Sequence, residues 1–363
     1  MKERIAANLL HYRTVCGWSQ DETAERIGIS RLAYLNAEKG KSMPGDDFLN
    51  SACEAFRVQM RDLIDTVEVP AVSFLSNQCA TRRASAERIE TIRRAWRRAR
   101  DIRFLLELSG RSVAADEARL ADFRRKVRAD RSMAQSARRE LWPDGLSHLE
   151  SLPKVLDANG IIVCFLPFVG KAVDGFSFDH PETGCVIVVN SSPEVTSERK
   201  VMALAHELGH VIHETMNEDH GSRRTGDGAE AEAVDFARDF LLPRELFERI
   251  WRDMGPYKTF DDKVLEIKGQ FKVSYSLVVF RAQAARFCDK NGYGRFLSAM
   301  KRRGFIGPEP APVGLRLVMD GYDALACEAY EKQEVTLSRF AELMMRPVSA
   351  VREILANKKK AHG

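Results

Sequence analysis

The sequence predicts a multidomain chain made of an all-α N-terminal domain, a helical connector, an α+β domain with a small three-stranded sheet, and a helical C-terminal region. Three observations carry that reading. Residues 1–65 are dense in helix caps joined by short connections. Residues 160–190 break into short β-branched and aromatic runs separated by turn residues, and helical periodicity resumes from about residue 196 to the end. The chain's 363 residues, 44% apolar and 30% charged, suffice for two or three cores. The longest apolar run, Ile161 to Val169, contains Pro167 and falls far short of the roughly 20 residues a membrane helix needs. Glu3, Asn8 and His11 interrupt the N-terminal apolar positions, unlike a secretory signal, so the cytoplasm is the expected location. The seven cysteines form no CxxC pair, which argues against a disulfide framework and against a cysteine-built metal site.

In residues 1–65, Ile5, Leu9 and Leu10 recur at helical spacing, and Ser19 with Glu22 forms a capping box for a second helix. Gly28 ends that helix, Ser30 caps a third through Leu32 and Leu35, and Pro44-Gly45 turns into a fourth, Asp46 to Phe56. Short helices with a tight turn at Gly28 form a helix-turn-helix. The stretch WSQDETAERIGISRLAYLNAEKGKSMP resembles the Cro/C1-type (XRE) DNA-binding domain in its SQ, its AxxxG turn, its ExG and its trailing proline. The resemblance implies that the third helix enters the major groove, with Arg31, Tyr34 and Asn36 as contacts, while Gln20 meets phosphate. Two departures bear on affinity. Ala37 stands at an apolar position before the glutamate, and the domain holds 9 basic against 10 acidic side chains. Dimer-dependent DNA binding, through a homodimer, is therefore among the expectations.

Residues 66–150 read as an Arg-rich helical connector. Residues 82–139 carry 18 Lys or Arg against 8 Asp or Glu, and RIETIRRAWRRARDIRFLLEL places Ile89, Ile92, Trp96, Leu105 and Leu108 near helical spacing. Interleaved acids favour a charged helix face over a DNA- or partner-binding surface.

The chemistry lies in residues 151–255. GIIVCFLPF, VDGFSF and GCVIVVN read as three strands, followed by VMALAHELGHVIH. A helix puts His206 and His210 on one face, where both imidazoles can meet one metal ion, with Glu207 one step round. Zinc suits such a site because two imidazoles and a carboxylate leave a position for water, from which Glu207 takes the proton during attack on a peptide carbonyl. The third ligand is expected from GAEAEAVDFARDFLLP, whose acids are Glu230, Glu232, Asp235 and Asp239. Spacing leaves Glu230 and Glu232 level. His213 is poorly placed to complete the same shell, and Asp219 and His220 are weaker candidates in a polar loop. No metzincin continuation follows the motif.

The lead-in ending in VVN, then LAHELGHVIH, then ExEAxxFAxxxLLP, resembles the ImmA/IrrE family of zinc metallopeptidases over about residues 150–250. The resemblance implies a zincin-like, gluzincin-type metalloendopeptidase with His206, His210 and Glu232 as zinc ligands and Glu207 as general base and acid. Glu230 and Asp235 are then peripheral. Val234 replaces the family's asparagine without touching the ligand set. The implied substrate is a repressor-like protein, cut at a specific site to derepress stress or mobile-element genes. The rival reading is a non-proteolytic one-component regulator, antitoxin-like or sensing a metal or ligand. Tyr257 and His220 are equal candidates for stabilising the oxyanion. The region 256–363 carries helix pairs broken at Val273-Ser274 and Arg346-Pro347, and its KKKAHG end reads as a disordered tail.

Overall fold

Two of the N-terminal helices start at serine caps and two stop at glycines. The computed structural model describes residues 1–56, 58–64, 73–74, 86–144, 148–168, 174–213, 227–305, 309–317 and 320–361. They fall into two units, one of Met1–Ala71, Thr81–Arg97 and Val335–Gly363, the other of Val72–Ala80 and Arg98–Glu334. The first unit opens with α1 (Lys2–Cys16), α2 (Gln20–Ile27), α3 (Arg31–Glu38), α4 (Asp46–Phe56) and a short α5 (Met60–Ile64). Gly17 and Gly28 end α1 and α2 at φ 68° and 80°, a conformation that glycine adopts without strain. The capping box at α2 is complete: the Glu22 amide donates to Ser19 Oγ at 3.1 Å and the Ser19 amide to Glu22 Oε2 at 3.3 Å. Ile5, Leu9, Tyr12, Ile27, Phe56 and Leu63 form a shared core, and Asn8 Nδ2 donates to the Leu63 carbonyl at 2.8 Å to fasten α5.

The second unit contributes β1 (Ser73–Phe74), followed by α6 (Ala86–Leu108), within which the division between units falls, α7 (Val113–Arg128), α8 (Met133–Leu141) and α9 (Leu152–Ala158). The three runs read as strands are β2 (Ile162–Leu166), β3 (Gly175–His180) and β4 (Gly184–Asn190). The sheet order is β1-β3-β4-β2, with β2 parallel to β4 and the other pairs antiparallel. The two-residue β1 adds a fourth strand to the three expected; so short a pairing leaves no alternation to read. Every residue of β4 is buried, which is why it reads as an unbroken apolar run.

Then come α10 (Ser197–His213), packed on β3 and β4, α11 (Asp227–Leu241), α12 (Arg244–Asp253), α13 (Phe260–Phe271), α14 (Tyr275–Ala284), α15 (Gly292–Arg302) and α16 (Asp320–Glu331). α10 and α11 pack closely because Gly209 lacks a side chain: a Cβ there would lie 3.1 Å from both Ala233 Cα and Phe236 Cδ1. A buried lysine ties the 309–317 segment to α10. Lys268 Nζ lies 2.5 Å from Glu198 Oε1 and donates to the Ala311 carbonyl at 3.0 Å, while the Val313 amide donates to Glu198. α17 (Leu337–Leu343) and α18 (Val348–Ala361) belong to the first unit, where Arg61 pairs with Glu342 at 3.7 Å. α18 continues to Ala361, through lysines read from sequence as a disordered tail. No described helix is long and apolar enough to cross a membrane.

The basic connector serves the fold. Buried Glu90 receives Arg93, Arg94 and His11 at 3.0, 2.7 and 3.1 Å. Asp116, also buried, receives Arg103 at 2.9 Å, Arg111 at 2.6 Å and Arg119. Arg124 and Arg128 donate to the Val211 and Ile212 carbonyls at 2.8 and 2.7 Å, the unpaired carbonyls at the end of α10.

Candidate metal centre and DNA-facing helices

α10 carries His206 and His210 one turn apart, with relative exposures of 8% and 0%. Their Nε2 atoms lie 3.1 Å apart. Glu230, in the first turns of α11, brings Oε2 to 3.2 Å from His206 Nε2 and Oε1 to 3.5 Å from His210 Nε2. Donors about 2.0–2.1 Å from a tetrahedral ion stand about 3.3–3.4 Å apart, so the set fits a zinc-sized cation. Burial pushes both imidazoles down, His210 to about 4 with His206 adding to the effect, so both are neutral near pH 7, the form that binds metal.

Glu207 is 1% exposed and points to the sheet, where Ser177 Oγ donates to Oε2 at 2.7 Å. Burial raises its carboxyl to about 8, with the Ser177 hydrogen bond opposing and the Glu230 charge adding to the rise. Gly175, two residues before Ser177 and so on the same strand face, leaves space: a Cβ there would meet Glu207 Cγ at 3.4 Å. Neither Gly175 nor Ser177 was singled out from sequence; the signal was the GxS alternation in VDGFSF beside a strand-to-helix pairing not yet known.

The carboxylate beside His206 and His210 is Glu230, not the expected Glu232. Two helical positions turn through about 200°, so the two carboxylates point nearly opposite ways, and Glu232 lies 3.7 Å from His213 Nδ1 instead. Asp235 pairs with Arg238 at 3.2 Å and Asp239 with Arg281. Among the described residues, His206, His210 and Glu230 are the group able to hold a metal ion. Tyr257 is 98% exposed, outside this buried centre, and Asp219 and His220 lie outside the described residues.

The DNA-contact candidates separate likewise. Tyr34 is 0% exposed, with its hydroxyl 3.2 Å from the Leu9 carbonyl and 3.1 Å from Glu38 Oε1, which corrects its expected place at a DNA surface. Apolar packing on α1 claimed that face of α3. Gln20 Nε2 donates to Glu38 Oε2 at 2.6 Å, and Arg13 Nε reaches the same carboxylate at 2.5 Å. Arg31 is exposed, 3.1 Å from Asp21, and Asn36 is half-buried with its carbonyl accepting the Lys41 amide at 2.8 Å. Exposed Leu32 and Ala33, which sequence reasoning passed over, share the surface of α3 with Arg31.

Compared with known families, residues 156–283 match the IrrE N-terminal-like domain of a peptidase family, and residues 11–63 match a helix-turn-helix family. No curated protein and no solved structure matches the chain. The two matched segments follow the order read from the motifs, and the mostly helical fold with its small mixed sheet agrees with both.

Proposed function

We propose that this chain, in which an XRE-type DNA-binding helix-turn-helix precedes an IrrE-like peptidase domain, is a DNA-associated zinc metalloendopeptidase that cuts a repressor-like protein at a specific site and so derepresses stress or mobile-element genes. The supporting observation is the convergence of His206, His210 and Glu230 beside a buried Glu207 held by Ser177. His206, His210 and Glu230 would hold the ion. A bound zinc ion supplies Lewis-acid polarisation of the scissile carbonyl and a lowered pKa for water. Glu207 takes the proton of the attacking water and hands it to the leaving amine, and Ser177 fixes the orientation of that carboxylate. The helix-turn-helix supplies proximity, concentrating the peptidase where repressors sit.

The test compares protein N-termini in stressed host cells carrying the wild-type chain or Glu207→Gln. A new terminus inside a repressor-like protein, present only with Glu207 intact, is the expected result. Response of the target genes without any Glu207-dependent terminus would establish the rival, non-proteolytic regulator.

A further inference from the structure

The unit Arg98–Glu334 contains a concave site that the metal chemistry does not use. It is a cavity of about 490 Å³ between α8 and the start of α12, a size typical of small-molecule pockets. Arg138, Arg139 and Arg249 contribute three guanidinium groups, while Trp142, Pro243 and Leu246 contribute apolar surface. We propose that this pocket binds a small organic anion, a phosphate ester or carboxylate with an apolar body.

Several independent features favour that chemistry. Arg138 is half-buried and fixed by donating to the Phe240 carbonyl, so its fork is preorganised, and burial pulls its pKa down, a penalty that a bound anion relieves. Arg249 is exposed and has no ionic partner among the described residues. Arg139 is held at the surface by Asp130. α12 is ten residues long, and its N-cap, Pro243, makes no side-chain cap bond, so the first-turn amides add positive potential at the same wall. Asp130 offsets Arg139 and Glu245 is the one acid in the lining, so Arg138 and Arg249 leave the wall with a net positive charge. Inorganic phosphate alone underfills such a volume, whereas an aryl or alkyl group against Trp142, Pro243 and Leu246 completes it. Phe240 lies ten residues beyond Glu230 on α11, about 15 Å along the helix, so this pocket is separate from the candidate metal centre.

The experiment is isothermal titration of the full chain with phenyl phosphate, benzoate and inorganic phosphate, each repeated on Arg249→Ala and on Arg139→Ala/Arg249→Ala. Both arginines are exposed, and unchanged thermal melts confirm that the variants fold. Saturable one-to-one binding of phenyl phosphate or benzoate is expected, tighter than inorganic phosphate and weakened about tenfold or more by Arg249→Ala. Preference for phenyl phosphate identifies the source as a phosphate ester, and preference for benzoate a carboxylate. Absence of saturation by any probe at millimolar concentration, or equal affinity in the double variant, would overturn the proposal.

Discussion

Glu230 and Glu232 stand two positions apart on α11, and that interval decides which one faces the His206–His210 pair. Composition could not separate them: both are acids in the first turns of one amphipathic helix, and only the phase at which α11 meets α10 selects Glu230. The His206–His210 pair needed no such information, because its spacing is internal to one helix. Glu230→Gln is therefore expected to weaken zinc binding more than about 100-fold, and Glu232→Gln to leave it within a few-fold, as read by competitive chelator titration. Equal losses would return Glu232 to the ligand set. Ser177 acts one step further out. Ser177→Ala should keep zinc content while lowering kcat/KM about tenfold, because the Glu207 carboxylate loses the donor that orients it. That hydroxyl also holds the Glu207 pKa down, so its loss should move the acid limb of the pH–rate profile to higher pH.

Helix contacts set the precision of the site, and Gly209 is the clearest case. Alanine is the better helix former by about 1 kcal/mol. Its Cβ, however, would meet Ala233 Cα at 3.1 Å and the Ala233 carbonyl at 3.2 Å, backbone that yields only if α11 moves. Overpacking costs about 1–3 kcal/mol and so outweighs the propensity gain. Gly209→Ala should lower stability by about 1 kcal/mol in urea and weaken zinc binding as well, since α11 carries Glu230; tighter metal binding would contradict this. The connector makes a second test. Burial raises the Asp116 carboxyl, but Arg111, Arg119 and Arg103 outweigh it and hold the net pKa below the ordinary carboxylate range. The stabilisation is thus present above an unfolded pKa of about 3.9 and lost as pH falls through the lower folded value. Urea midpoints measured from pH 7 to pH 3 should fall below about pH 4, and Asp116→Asn, which leaves Arg103 uncompensated, should cost about 3–5 kcal/mol at pH 7 and flatten that fall. The three long strands and the capped helices were legible because caps and apolar runs are local signals. β1 and the long-range arginine contacts, such as Arg124 and Arg128 on the end of α10, were not, since each depends on segments distant in sequence.

For the whole molecule, the net charge of +4 conceals a basic segment whose role sequence alone left between a solvated face and a binding surface. Most of its described arginines are engaged within the fold: on Glu90 and Asp116, on the carbonyl end of α10, and in surface pairs such as Arg125 with Asp122 and Arg100 with Glu182. Phosphate neutralisation by the helix-turn-helix then draws on exposed cations such as Arg26, Arg31, Lys39 and Lys41, set among exposed Asp21, Glu22 and Glu25. Each neutralised phosphate contributes about −0.9 to the slope of log affinity against log salt, so contacts from these four would give about −4 per domain. Measured on an operator-bearing duplex with the full chain, Arg31→Ala and Lys39→Ala should each make the slope shallower by about 1, whereas Arg100→Ala with Arg125→Ala should change neither slope nor affinity. A comparable loss from the second pair would make the connector a nucleic-acid surface. Persistence of the first effect alone would mean that the chain contacts DNA phosphates through a small footprint, which raises the value of dimerisation for site-specific binding.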